Sequence, residues 1–340
     1  MYEQFYGFEE RPFSLLPDPA FLYLGKKHRL AYSMLEYSLM NQAGFTVITG
    51  EVGSGKTTLM RHLLTTVGPD LTVGLISNTP KDIGQLLQWV MLSFGQAYRE
   101  ENRVALFENF TDFLIDQYAH KRRAVLIIDE AQNLSLEVLE ELRMLSNINV
   151  DKYQILQLIL LGQPELKEKL RSPELLQFVQ RVVVDFHLTA LDQMETREYI
   201  RHRIRHAGCQ QEIFDDAACD LIYRASRGIP RVINVLCDTA LVYGFADQRR
   251  SIDATLVRAV LKDKASTGLI RLYNLDELEV EPEQQAVTGG DPAMQQERAA
   301  DEQGGQGSDP EEQATIEPKI HPLAQPKKDE TKPLLRTRND

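Results

Sequence analysis

Residues 50–57 read G-E-V-G-S-G-K-T, from Gly50 to Thr57, and follow directly on the apolar run F-T-V-I-T (45–49). The spacing is that of the phosphate-binding pattern G-x-x-x-x-G-K-[ST], and T-T-L-M-R-H-L-L (57–64) opens a helix behind it. Glycines let the backbone curl so that its N–H groups point at phosphate oxygens, at a helix N-terminus whose dipole favours anions. The expected cradle is Gly50, Glu51, Val52, Gly53, Ser54, Gly55, Lys56, Thr57 and Thr58. Lys56 is expected to reach the β- and γ-phosphates of a nucleoside triphosphate, and the Thr57 hydroxyl to ligate Mg²⁺.

Outward from this loop, short apolar runs alternate with amphipathic stretches. The runs are FTVITG (45–50), TVGLISN (72–78), AVLIIDE (124–130), ILQLILLG (155–162) and VVVDFHL (182–188). Helical periodicity fills 85–94, 106–118 and 136–145. Near-continuous β-branched runs separated by helices predict an α/β fold with a parallel five-stranded sheet covered on both faces. From Leu191 the pattern changes to four helices without strands. Asp215 is placed to cap one, Gly208 and Gly228 to end others, and Pro230 to open the third.

The run V-L-I-I-D-E (125–130) ends in two carboxylates at the sheet edge where such a loop binds its ligand. Asp129 is expected in the Mg²⁺ shell, with Glu130 orienting and deprotonating an attacking water. A helix start would also favour acids at these positions. The pairing after a phosphate loop points to hydrolysis rather than nucleotide storage.

Composition narrows the class. With 43% hydrophobic and 26% charged residues over 340, wholesale disorder and collagen-like repetition are excluded. Three cysteines, Cys209, Cys219 and Cys237, are too few and scattered for a zinc cage or disulfide framework and read as small core residues. The N-terminus lacks the features of a signal peptide, and no stretch approaches the roughly 20 apolar residues of a membrane span. A soluble, cytoplasmic chain is expected. Of the formal net charge of −12, residues 276–340 carry −9, from 16 acidic and 7 basic residues. That stretch has no Phe, Tyr, Trp or Cys and is expected to be disordered, acidic to 326 and basic at its end.

A phosphate loop, a D-E ending the third strand, a polar residue after the fourth, an Arg before the fifth and G-I-P-R (228–231) in a helical lid together resemble the AAA+ ATPases. The resemblance implies ATP with Mg²⁺. It gives Gln163 the sensor 1 role of aligning the water and Arg231 the sensor 2 role of reaching the γ-phosphate from the lid. Arg181 becomes the arginine finger that completes a neighbouring subunit's site, which implies a homo-oligomer. Preorganised donors of this kind stabilise charge on the transferred phosphoryl group. The residues themselves leave other uses open. Gln163 can cap the helix after Pro164, Arg231 can be a surface residue, and Arg181 can form a structural bond, with Arg171 the competing finger.

The N-terminal F-Y-G-F-E-E-R-P-F-S-L-L-P-D-P-A-F-L-Y-L (5–24), with D-E-A-Q-N-L (129–134), L-R-M-L-S-N (142–147) and L-G-Q-P-E-L (161–166), is similar to ExeA-type ATPases of general secretion pathways, up to about residue 264. Full-length members continue into a membrane helix and a peptidoglycan-binding domain. This chain is more similar to shorter relatives that accompany exopolysaccharide and PEP-CTERM/exosortase loci. The implied division is 1–40, an N-terminal linker segment packing near adenine; 41–190, an AAA+ P-loop core; 191–268, an all-helical lid; and 269–340, a disordered acidic tail with a basic end. Tyr6, Gly7, Phe8 and Phe13 are then expected base contacts, or else core aromatics. The implied partners are proteins of an envelope export system, with peripheral contact at the inner membrane.

Arg197, Arg201 and Arg205 recur at i, i+4 and i+8 in the first lid helix. Such a stripe would suit a nucleic-acid backbone, or a solvated helix face that Glu195 and Glu198 dilute. A DNA-dependent ATPase of the transposition or loader type, and a nucleotide switch with little turnover, are the competing expectations.

Overall fold

The Gly50–Thr57 loop sits at one edge of a parallel sheet whose strands are apolar on both faces. The computed structural model describes residues 1–77, 85–99, 102–150, 153–267 and 272–273. Its strands are β1 (Phe45–Gly50), β2 (Leu71–Ile76), β3 (Arg123–Ile128), β4 (Asn149–Val150), β5 (Tyr153–Gln154), β6 (Leu156–Gly162) and β7 (Val182–Leu188). β4 and β5 form a separate antiparallel pair, while the other five run parallel in the order β2-β3-β6-β1-β7. Every residue of β1 and β6 is buried, as expected for strands covered on both sides.

Side chains alternate across the sheet and feed two cores. On one face Val47, Leu126, Ile128, Leu158 and Leu160 pack against α4 (Leu86–Ser93), α5 (Arg103–Ala119) and α6 (Leu136–Leu145). On the other, Ile48, Val125, Ile127, Ile159 and Leu161 meet α2 (Lys26–Met40) and α3 (Lys56–Thr66). The register pairs Thr49 with Gly162 and Ile128 with Leu160, and Asp129 N–H donates to the Ile76 carbonyl at 2.9 Å. The C-terminal ends of β1, β3 and β6 are thereby brought to one edge.

The lid is α9 (Gln193–His206), α10 (Asp216–Ser226), α11 (Pro230–Ala246) and α12 (Ala254–Thr267), close to the four expected helices. Asp192 and Glu195 form a reciprocal capping box on α9, and Asp215 caps α10 by accepting from Ala218 N–H at 2.6 Å. Cys209, Cys219 and Cys237 are buried free thiols. Four helices bury little by themselves. Their core is completed by Tyr2, Tyr6, Phe8, Phe13 and Phe21 from the N-terminal segment. Leu272 packs against the same core and Tyr273 N–H donates to the Ala225 carbonyl at 3.0 Å, so lid contacts reach past the expected boundary at 268. Asn78, at the end of the second apolar run, and the stretch from 274 on lie outside the described residues.

Core and lid meet where Leu191 N–H donates to the Gly228 carbonyl at 3.0 Å. Gly228 has φ +73°, and a Cβ built there would stand 1.8 Å from the Leu191 carbonyl oxygen. Positive φ alone costs an L-residue about 1–2 kcal/mol, and the collision adds to it. Gly228→Ala is therefore expected to lower the melting temperature by at least about 3 °C, read by thermal unfolding. An unchanged melting temperature would show that this junction does not close as described.

Candidate active site

The phosphate loop takes its shape from three glycines. Gly53 and Gly55 have φ of +80° and +101°, where other residues are strained. At Gly50 the limit is space, since a Cβ would lie 2.6 Å from the Leu188 carbonyl oxygen. Gly55 is the N-cap of α3 and offers no side chain to its first turn, so those N–H groups have no side-chain cap competing with an anion for them. Lys56 Nζ donates to the Gly50 and Glu51 carbonyls at 2.7 and 3.0 Å, across the loop that it would share with phosphates. Burial depresses the Lys56 ammonium below its usual value, opposed by the charges of Glu130, Asp129 and Glu51.

Behind the loop, His28 of α2 is buried, and its ring donates Nε2–H to the Ser54 carbonyl at 2.9 Å. Burial lowers its pKa, against the pull of that hydrogen bond. Sequence reading missed this histidine, because only the tertiary fold brings α2 under the loop.

Thr57 Oγ1 donates to Asp129 Oδ2 at 2.6 Å, and Asp129 Oδ1 accepts from Glu130 N–H at 2.9 Å. A hydroxyl beside one carboxylate, all oxygen donors, suits Mg²⁺, which takes one or two carboxylates and completes its shell with phosphates and water. Among the described residues no group of three or more His, Cys, Asp or Glu could hold a metal without such help.

Glu130 has φ +54° and ψ +37°, a left-handed conformation uncommon outside glycine and of the kind that clusters at functional sites. Its Oε2 accepts from Gln132 Nε2 at 2.6 Å and from Gln163 Nε2 at 3.1 Å. Burial pushes the carboxyl up, but these two amides and the Lys56 charge outweigh it and hold the group below the usual glutamate range. Gln163 makes no side-chain cap to α7 (Pro164–Leu170), the second of its expected uses; its amide is spent instead on Glu130. Gln132 was not singled out from sequence. The D-E-A-Q spelling carries no spacing rule that aims its side chain.

His28, Lys56, Thr57 and Glu130 line a cleft of about 1020 Å³, open mouth included, walled on its far side by lid residues and by parts of 14–23. Arg231 reaches it from the first turn of α11, and its N–H donates to the Gly53 carbonyl at 3.2 Å. Of the two readings of the N-terminal aromatics, the structure takes the core. Tyr6, Phe8 and Phe13 are buried in the lid core and Gly7 ends α1 (Glu3–Tyr6), while Ser14 through Tyr23 supply the cleft wall. The apolar lid needs those aromatics more than a base does.

Two arginine groups lie elsewhere. Arg181 lies away from this cleft, and its Nη1 donates to Ser146 Oγ at 2.8 Å and the Arg143 carbonyl at 3.3 Å, at the C-terminal end of α6. That is the structural bond left open by the sequence, and it favours a cation where helix carbonyls end. Arg171, the competing finger, ends α7. The basic stripe on α9 is largely neutralised. Arg197 forks onto Asp220 at 2.7 and 2.6 Å, and Arg201 Nη2 donates to Asp216 at 2.8 Å. Acids at i and i+4 on α10 match arginines at i and i+4 on α9, leaving little of the stripe for a nucleic-acid backbone.

With this geometry in place, comparison with known proteins is specific. Residues 39–170 match the family model described as AAA domain. General secretion pathway protein A of Aeromonas hydrophila is 40% identical over 247 residues, 72% of this chain and 45% of that protein. The match thus spans less than half of that relative's length. Among solved structures, the Aeropyrum pernix ORC2 protein in its ADPNP–ADP complexes aligns with TM-score 0.58 at 20% identity, over 75% of this chain and 71% of that one. Drosophila ORC bound to DNA aligns with TM-score 0.58 at 14% identity, over 78% and 67%. At these identities the structures speak for the fold. Residues 39–170 are thus similar to the AAA domain family, and the described residues have the P-loop AAA+ fold with a parallel five-stranded sheet.

Proposed function

We propose that this AAA+ chain hydrolyses ATP in the cleft between the Gly50–Thr57 loop and the lid, and that turnover drives assembly or remodelling of an envelope export system. The observation that carries the hydrolytic part is the Glu130 carboxylate held by two amides beside the Thr57–Asp129 pair. Lys56 and the loop N–H groups bind the phosphates, and Thr57 with Asp129 would hold Mg²⁺, which when bound neutralises charge on the phosphates. Both amides use Oε2 of Glu130, so Oε1 is left to accept a proton from water. Gln163 orients that carboxylate, and Arg231 senses the γ-phosphate from the lid. Lid closure through Arg231 follows ATP binding, and reopening follows hydrolysis.

The export role is supported by the name of the Aeromonas relative. A secretion or exopolysaccharide machine of the PEP-CTERM kind, at the cytoplasmic side of the inner membrane, is the setting we assign. No helix among the described residues is long and apolar enough to cross a membrane. Contact there would run through partners or through 276–340. Arg181 serves as a finger for a neighbouring subunit once it leaves Ser146, which makes the working state a homo-oligomer.

Phosphate release from ATP by the full chain tests the enzyme. Export in a strain lacking the chain, complemented by wild type or by Glu130→Gln, tests the coupling. Restoration by both would detach export from hydrolysis. Adding ATP is expected to shift the chain to a larger species in size-exclusion chromatography with light scattering, and Arg181→Ala to retain assembly but lose most turnover. A monomer that hydrolyses ATP at full rate would remove the finger role.

A further inference from the structure

Nothing in the phosphate loop or the Asp129–Glu130 pair requires Gln132, yet its side chain makes two bonds that join separate strands. Nε2 donates to Glu130 Oε2 at 2.6 Å, and Oε1 accepts from Gln163 N–H at 3.0 Å. One amide therefore spans the end of β3 and the end of β6. Its backbone is held as well, since Lys169 Nζ from α7 donates to the Gln132 and Leu134 carbonyls at 2.6 Å each. Space is reserved for it. At Gly162 a Cβ would stand 3.2 Å from Gln132 Oε1 and 2.7 Å from Leu166 Cδ2.

Resting on the ATPase reading, we propose that Gln132 is a positioning residue that sets the direction of the Glu130 carboxylate by tying it to the β6–α7 junction. Glu130 sits on a left-handed backbone followed by the short turn Ala131–Asn133, and a glutamate has three rotatable side-chain bonds. Gln163 reaches it with one donor only. The second donor, from Gln132, turns a swinging carboxylate into one with Oε2 occupied and Oε1 presented to the cleft. A displacement of a proton acceptor by about 1 Å can cost 10²-fold in rate, so orientation of this kind acts on kcat rather than on ATP affinity.

The two bonds of Gln132 have opposite polarity, and an isosteric change separates them. Gln132→Glu keeps an oxygen to accept the Gln163 N–H but puts a second carboxylate oxygen against Glu130. Gln132→Ala removes both bonds. Expected for both variants is a fall in kcat of roughly 10- to 100-fold, with the KM for ATP, the dissociation constant of a non-hydrolysable analogue and the melting temperature close to wild type. In a Glu130→Gln background, Gln132→Glu should cause no further loss, because it acts through Glu130. Wild-type kcat in Gln132→Glu, or a loss that appears in analogue affinity or melting temperature instead, overturns the inference by reducing Gln132 to a structural tether. If Gln132→Ala fails to fold, the isosteric variant still decides. A wild-type chain that does not hydrolyse ATP would fail the functional reading itself, a result distinct from any difference among the variants.

Discussion

Glu130→Gln is expected to lower kcat for ATP hydrolysis by about 10²- to 10⁴-fold, the range of a lost general base, with ATP still bound. The substitution keeps the length of the side chain, and an amide oxygen can accept from Gln132 and Gln163 as Oε2 does. What disappears is the anionic acceptor for a proton from water. The Lys56 and Thr57 hydrogen bonds go to Gly50, Glu51 and Asp129, so they survive the substitution. Single-turnover hydrolysis and analogue binding on the same preparation separate the two effects. Turnover within threefold of wild type would remove Glu130 from the chemistry, and loss of binding would make it a structural residue.

Lys56→Ala is expected to weaken ATP binding by about 10²- to 10³-fold, the loss of a desolvated charge pair worth 2–5 kcal/mol. Lys56 is 7% exposed and its ammonium already bridges two loop carbonyls. Glu130, Asp129 and Glu51 favour its charged form against burial. The alanine variant leaves the phosphates without that cation and the carbonyls of Gly50 and Glu51 without their donor. Titration calorimetry with ATP reads the change, and circular dichroism checks that the sheet survives. Affinity within tenfold of wild type would show that the loop holds phosphate through its N–H groups alone.

These expectations rest on parts of the molecule that differed in how far the sequence revealed them. The strands could be read because runs such as AVLII (124–128) and LILLG (158–162) are apolar at every position, a local property of a strand buried on both faces. The loop could be read because its glycines, Lys56 and Thr57 are consecutive in the chain. Asp129 and Glu130 followed, since a strand end is a fixed address relative to such a loop. The lid helices followed from caps and stops, with Asp215, Gly228 and Pro230 each at the boundary expected of it.

Partner choice was not readable in the same way. Tyr6 and Phe8 read equally well as base contacts or core aromatics, and the choice fell to the lid, whose helices expose apolar faces that lie some 200 residues away in sequence. Arg197 and Arg201 formed a stripe until Asp216 and Asp220 were placed opposite them. Arg181 could face a neighbour or its own chain, and within one chain the end of α6 holds it.

By itself, then, the sequence determined the parallel α/β sheet, the phosphate loop, the paired carboxylates and the helical lid, because each is written in residues adjacent or periodic along the chain. Only the tertiary structure decided the strand order β2-β3-β6-β1-β7, the burial of the N-terminal aromatics and the clasp of Gln132 and Gln163 on Glu130. The physical reason is reach. A hydrogen bond or a packing contact is made within a few ångströms in space, and Glu130 meets Gln163 33 positions along the chain only because β3 and β6 lie side by side.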